Sequence, residues 1–305
     1  MSQGLRKLLR MERNTANLGD AVTFYRDALG FRVDDIGCKA PAWTLLPGVC
    51  DSAPRCARLS LGAQVLVLTE FPDAAPYPEN RASNDLDFQH CAIVTDDMHA
   101  ACDRVMRHGV APITRDGPQT LPPSTGAVGA FKFRDPEGHP LELIAFPEGT
   151  GDPAWHSTEK PGPMLGIDHS AIGVADVERS VLFHELLGLR VATRGVNRGA
   201  GQQRLDDLAG VEVDVIAMQA AVRTPHLELL GYRRPRGRAH RSTSLTAVAA
   251  DRLVWQAGKV DVLLDALTDG DFTDGILASG FIEGATVAML RDPDGHLNVL
   301  DEFPA

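Results

Sequence analysis

The feature that most constrains this chain is an internal repeat. Arg134-Asp135-Pro136-Glu137-Gly138-His139 and Arg291-Asp292-Pro293-Asp294-Gly295-His296 are nearly identical, and each precedes an apolar run ending in Phe-Pro, at Phe146-Pro147 and Phe303-Pro304. A second echo pairs AVTFYRDALGFRV, from Ala21, with SVLFHELLGLRV, from Ser180. A third pairs HCAIVTDD, from His90, with HSAIGVAD, from His169, and so links the second half of one copy to the first half of the next. Such self-similarity marks one supersecondary unit used repeatedly, here four times.

Each unit opens with a short β-branched strand ending near Asn17, Asp97 or Asp176, whose side chains suit a helix N-cap. The spacing predicts helices over DAVTFYRDALG, HAACDRVMRHG, VERSVLFHELLG and VDVLLDALTDG, where apolar residues recur at three and four. Gly30, Gly109, Gly188 and Gly270 stand where a helix C-terminus favours glycine. Two or three strands follow, with Asp-Pro-x-Gly turns between them. The predicted unit is βαβββ and the fold class α+β. The Pro/Gly-rich stretch from Pro147 to Pro163 divides the chain into residues 1–148, a linker at 149–164 and residues 165–305.

A length of 305 residues fits two domains. The net charge is −11 and the basic residues are scattered, so nucleic acid is not an expected partner. No run approaches the length of a membrane span, and MSQGLRKLLRMERN lacks the apolar centre of a signal peptide. Cys38, Cys50, Cys56, Cys91 and Cys102 form no CxxC pair, which points to a reduced, cytoplasmic protein with free, buried thiols. A small molecule is the expected partner, with monomer and homodimer both open.

The paired βαβββ units, with a histidine opening one strand and Leu-Glu-Leu-Ile closing another, resemble the vicinal-oxygen-chelate (VOC) superfamily. That superfamily includes glyoxalase I, extradiol dioxygenases and bleomycin-binding proteins. SNDLDFQHCAIVTDDM, FRDPEGHPLELIAFPEGTGDPAWH and GIDHSAIGVADVERS are similar to its tandem two-domain subgroup. The resemblance implies two tandem VOC domains, each a pair of βαβββ modules forming a half-barrel. Four inward positions then meet in each domain, at the start of each module's first strand and the middle of its last. A carboxylate and imidazole set there holds a divalent ion and leaves room for two neighbouring substrate oxygens.

Carried over position by position, the resemblance puts His169 first in the second copy, seven residues before Asp176, and Glu228 second. Gln256, aligned by setting Asp251 against Asp85, takes the third place. The fourth falls on Val299 where glutamate is expected, with Asp301 on the same strand face. The first copy supplies His90 and Glu142 at its third and fourth positions, but Arg10 and Val67 at the first two. Glu12 shares the face of Arg10, and an Arg10–Glu142 ion pair is equally consistent with that copy. The expectation is one divalent ion (Zn, Ni, Mn or Fe) at His169, Glu228 and Gln256, or a metal-free pocket in which His169 and Glu228 bond each other. A second pocket is expected around His90, Glu142, Arg10 and Glu12.

The activity implied is that of a lyase or isomerase acting on an oxygenated metabolite, with secondary metabolism one setting. His169 and Asp301 are the catalytic candidates, Asp301 because Val299 cannot act as the proton-transfer base. Extradiol oxygenation is disfavoured, since it needs two histidines and one carboxylate and each copy offers one histidine. A ligand-sequestering binder and a metal-free cyclase are the alternatives. In the loop from Val196 to Gly210, Arg198, Gln202, Gln203 and Arg204 either touch an anionic or oxygen-rich substrate or sit on a mobile surface. His184 is expected to pack on its helix or lie exposed, His99 and His108 to be solvated, and His139 and His296 to stabilise turns. The basic segment from Tyr232 to Ser244 is expected to link two modules.

Overall fold

The computed structural model describes residues 3–46, 54–156, 162–239 and 244–302. Cys50, Phe303-Pro304 and residues 157–161 of the expected linker lie outside them. The first module comprises β1 (Lys7–Thr15), α1 (Leu18–Asp27), β2 (Arg32–Lys39), β3 (Arg55–Leu61) and β4 (Gln64–Glu70). The second comprises β5 (Gln89–Thr95), α2 (Met98–Met106), the two-residue strands β6 (Ala111–Pro112) and β7 (Gln119–Thr120), β8 (Gly129–Arg134) and β9 (Pro140–Ala145). The third comprises β10 (Met164–Gly173), α3 (Val177–Leu186), β11 (Arg190–Arg198), α4 (Ala200–Asp206), β12 (Glu212–Gln219) and β13 (His226–Arg234). The fourth comprises β14 (Arg252–Gln256), α5 (Val260–Asp269), β15 (Ile276–Ile282), β16 (Ala285–Arg291) and β17 (Leu297–Glu302).

The helices start where their caps dictate. The side chains of Asn17, Asp97 and Asp176 accept from the backbone N–H three residues on, at 3.1, 3.0 and 3.0 Å. Lys259 cannot cap α5, and the Glu302 carboxylate accepts from Val260 N instead, at 3.1 Å. Gly30, Gly109 and Gly188 take positive φ after their helices. After α5 the left-handed residue is Asp271 (φ 65°) in place of Gly270.

Two open sheets result, each joining two modules. One sheet runs β15-β16-β17-β14-β1-β4-β3-β2; the other runs β11-β12-β13-β10-β5-β9-β8-β6. The first module therefore pairs with the fourth, through β1 and β14, and the second with the third, through β5 and β10. The sheets do not follow the two sequence copies. One core joins them, with Leu8, Phe24, Ile93, Phe131, Ile172, Phe183, Trp255 and Leu300 in a single buried cluster.

The turn histidines hold each sequence copy together across that partition. Asp135 Oδ1 accepts from the backbone N–H of Glu137 and His139, and Asp292 Oδ1 from those of Asp294 and His296. His139 Nε2 then donates to Asn14 O in the first module, and His296 Nε2 to Gly173 O in the third, both at 2.9 Å. Only their backbone N–H groups brace the turns; the imidazoles, expected to stabilise turns, join modules instead. His99 and His108 are exposed as expected. His184 is fully buried in helix packing, its Nδ1 donating to Ser180 O at 2.8 Å.

The cysteine reading needs correction. Antiparallel register sets Cys38 opposite Cys56, with Cα atoms 5.0 Å apart, and the two form a disulfide. Cys91 and Cys102 are free and buried. Among the described residues no helix is long and apolar enough to cross a membrane.

Candidate metal centre

The centre is built by strand register. β5 and β10 run antiparallel side by side, with His90 opposite Ala171 and His169 opposite Ala92. The parallel neighbours add Glu142 of β9 beside Ala92 and Glu228 of β13 beside Ala171. Because side chains alternate across a strand, all four functional groups share one face. Ala92 and Ala171, the residues between them, are too small to keep them apart. His90 Nε2 lies 2.9 Å from Glu142 Oε2. His169 Nε2 lies 3.8 Å from the same carboxylate and 3.5 Å from Glu228 Oε2.

A bulge between Ile167 and His169 turns Asp168 toward its neighbour. The His169 Nδ1–H donates to Asp168 Oδ2 and the Trp155 indole N–H to Asp168 Oδ1, both at 2.9 Å. His226 completes the group, 3.8 Å from Asp168 and 3.6 Å from Glu228. Asp168 and His226 were not singled out in the sequence. His226 stands two residues before Glu228 on the same strand, a spacing that places both on one face. The bulge that brings Asp168 inward leaves no sequence signal.

The electrostatics suit a cation. Burial favours neutral His169, but Glu228, Asp168 and Glu142 outweigh it and raise its pKa to about 9. Burial opposes ionisation of Glu228, yet His169 and His226 hold it down at about 2. Glu142 is likewise lowered, by Lys132, His90 and His169 against its burial. His90 is pushed down, because burial outweighs its bond to Glu142. His169 Nε2 is buried without a hydrogen-bond partner although carboxylates stand on two sides. The ligand atoms of His90, Glu142 and His169 lie within 4.8 Å of one another, as do those of Asp168, His169 and His226. Two imidazoles and carboxylates at this spacing form a donor set for a divalent ion such as Zn, Ni, Mn or Fe.

The equivalent positions in the other sheet are differently filled. Glu12 pairs with Arg252 and Val67, and Val254 pairs with Arg10 and Val299. Register therefore puts Arg10, Val67, Arg252 and Val299 where the centre has His169, Glu228, His90 and Glu142. Val67 and Val299 belong to an apolar cluster with Trp43, Val254 and Met289. Arg252 bonds Glu12 at 3.0 Å and Asn14 at 2.9 Å, with its guanidinium 4.2 Å from the Trp43 ring centre.

These placements correct several expectations. Gln256 lies on β14 opposite Lys7 and Asp301, in the sheet that does not carry His169, and cannot join Glu228. Asp301 is in that sheet too, its carboxyl pushed up chiefly by burial, and it is no neighbour of His169 as a base. Arg10 and Glu12 bond each other at 2.7 Å, so neither shares a pocket with His90 and Glu142 and no Arg10–Glu142 pair forms. The fourth carboxylate, missing at Val299, is supplied by Glu142 from the other copy.

The centre opens into a cavity of about 570 Å³ that His90, Glu142, Asp168, His169, His226 and Glu228 all line. The expected loop over it contains α4, and of its four candidates Gln202 lines the cavity. Gln203 accepts from Gly210 N, Arg204 donates to Gln119, and Arg198 ends β11, exposed.

Residues 7–143 match the family model described as Glyoxalase/Bleomycin resistance protein/Dioxygenase superfamily. Among solved structures, glyoxalase I from Zea mays superposes with a TM-score of 0.65 at 18% identity, covering 97% of this chain and 92% of that one. A dioxygenase-like protein from Bacillus subtilis gives 0.58 at 14% identity, over 100% and 87%. At these identities the likeness is one of fold. No curated protein matches the sequence.

Proposed function

We propose that this chain, whose residues 7–143 match the Glyoxalase/Bleomycin resistance protein/Dioxygenase superfamily model, is a member of that superfamily and a metal-dependent lyase or isomerase acting on a small oxygenated metabolite. One observation carries this reading. His90, Glu142 and Glu228, from three strands, gather around the buried Nε2 of His169 on a fourth, which has no hydrogen-bond partner. His90, Glu142 and His169, the tightest set, would hold the ion, with Glu228 beside them. A bound divalent ion supplies Lewis-acid polarisation of a substrate carbonyl.

The remaining chemistry belongs to the side chains. Asp168 holds His169 by its Nδ1–H, which directs Nε2 at the centre, where a bound ion would take the place of the Nε2 proton that the surrounding carboxylates otherwise favour. Glu228 is the more exposed carboxylate, at 21% against 8% for Glu142. It suits proton removal from the carbon next to a carbonyl and return of that proton to the neighbouring carbon.

The reason for disfavouring oxygenase chemistry, one histidine per copy, does not survive the pairing of His90 with His169. The second glutamate now favours the isomerase or lyase reading, because proton transfer needs a carboxylate beyond those holding the ion. The non-ligating residues Arg10, Val67 and Val299 cluster in the other sheet and leave this centre's donor set complete.

Elemental analysis of protein purified without a histidine tag tests the proposal. Close to one divalent ion per chain is expected, lost in His90→Ala and in His169→Ala but kept in Gln256→Ala. A protein that takes up none of Zn, Ni, Mn or Fe(II) contradicts it.

A further inference from the structure

The wall of the cavity formed by α4 carries a polar network outside the metal centre. Asp206, buried behind that wall, accepts from Lys132 Nζ at 2.7 Å, Gln202 Nε2 at 2.7 Å and Tyr232 OH at 3.1 Å. Lys132 and Glu142 are register partners on β8 and β9, so the network adjoins the centre. Gln202 and Asp206 are four apart on α4 and share a helix face.

The bond to Asp206 fixes the amide orientation, since turning it over would set its oxygen against a carboxylate oxygen. Gln202 Oε1 is then buried with no hydrogen-bond partner, on a side chain 4% exposed that lines the cavity. A buried acceptor left unmatched carries the desolvation cost of an unmade hydrogen bond. A ligand donor would relieve it.

Charge narrows the donor. The Lys132 ammonium faces the Asp206 carboxylate, so the pair is close to neutral, and each partner is almost wholly enclosed. An anionic group would find no spare countercharge there, and its oxygens would oppose Gln202 Oε1. A hydroxyl is neutral and donates.

We propose that this wall is a subsite for a neutral hydroxyl, and that the substrate is a hydroxylated carbonyl compound. An ion held by His90, Glu142 and His169 would polarise the carbonyl end of such a substrate, and Gln202 Oε1 accepts from a further hydroxyl. The assignment of a substrate rests on the metal-centre reading; the hydroxyl preference itself does not. It narrows the anionic-or-oxygen-rich expectation for this loop to the second of those classes.

The probes are erythrulose and xylulose, each against the hydroxyketone of equal length lacking the further hydroxyls, 1-hydroxy-2-butanone and 1-hydroxy-2-pentanone. Calorimetric titration into zinc-loaded protein should show wild type preferring each ketose by about tenfold or more, since a built polar site rejects partners that leave it unpaired. Gln202→Met should bring both members of each pair to similar affinity with zinc content unchanged. Equal binding of the pair by wild type, no binding of either ketose, or an undiminished preference in the variant overturns the subsite. Should the variant fail to fold, as its melting curve would show, the wild-type comparison decides alone. Should wild type take up none of Zn, Ni, Mn or Fe(II), the metal-centre reading fails instead, and the same titrations on metal-free protein still decide the hydroxyl preference.

Discussion

At the scale of single residues, the centre depends on contacts that neighbours impose on its histidines. Asp168 lines the cavity and fixes the His169 ring, and Trp155 fixes Asp168 in turn. Asp168→Asn should weaken ion affinity by about 10–100-fold, measured by competition with a chelator, while the fold is kept. Unchanged affinity would mean that Nδ1 does not need its carboxylate. Glu228→Gln should retain the ion and lower turnover by about 10²–10⁴-fold, the usual loss of a proton-transferring group. An equal loss of metal and of turnover would place Glu228 among the ligands alone. His169 and Glu228 were identifiable from sequence because each sits at a motif position. Asp168 was not, because a one-residue bulge turns a side chain inward without altering the pattern of residue types.

At the scale of elements, caps and turns were the most legible features, since they answer to local chemistry. Asp176→Ala should cost about 1 kcal/mol of stability by removing the acceptor for Arg179 N, read as a shift in the denaturant midpoint. The first DPxGH turn carries a pH dependence as well. Burial favours neutral His139, but Asp251, at 3.3 Å, and Asp135 outweigh it and raise its pKa. A raised imidazole pKa contributes stability that is complete below the unfolded value of about 6.5 and disappears as pH rises through the folded value. Stability of wild type should therefore fall as pH rises from that point, and His139→Gln should flatten the fall. An identical slope in both proteins would show that the pair is not protonated. The loop from Val196 to Gly210 was less legible. Its glycines and glutamines do not announce α4, and the helix exists because Leu205 and Asp206 are buried against the second module.

At the scale of the molecule, the two sheets each take one module from either copy, and the turn histidines stitch each copy back together. An ion at the centre therefore joins residues about 80 positions apart, from His90 to His169. Since it binds only the folded chain, an ion at 100 times its Kd should add about 2.7 kcal/mol of stability. His90→Ala and His169→Ala should abolish that gain alike, and Asp301→Asn should leave it whole. A gain that survives in His90→Ala would restrict the site to β10 and β13.

The four βαβββ units with their caps and turns follow from the sequence, because each rests on a periodicity or a local motif, whereas His90, Glu142, His169 and Glu228 were picked out as inward residues by the resemblance to the VOC superfamily. Which modules share a sheet does not follow from the sequence. The repeats are alike enough that either pairing satisfies the same local rules, and sequence order suggested pairing within each copy. The choice is made by the edges of β1, β5, β10 and β14 and the core between the sheets. That choice puts two half-sets of ligands into one centre and leaves the other sheet with Arg10, Val67, Arg252 and Val299.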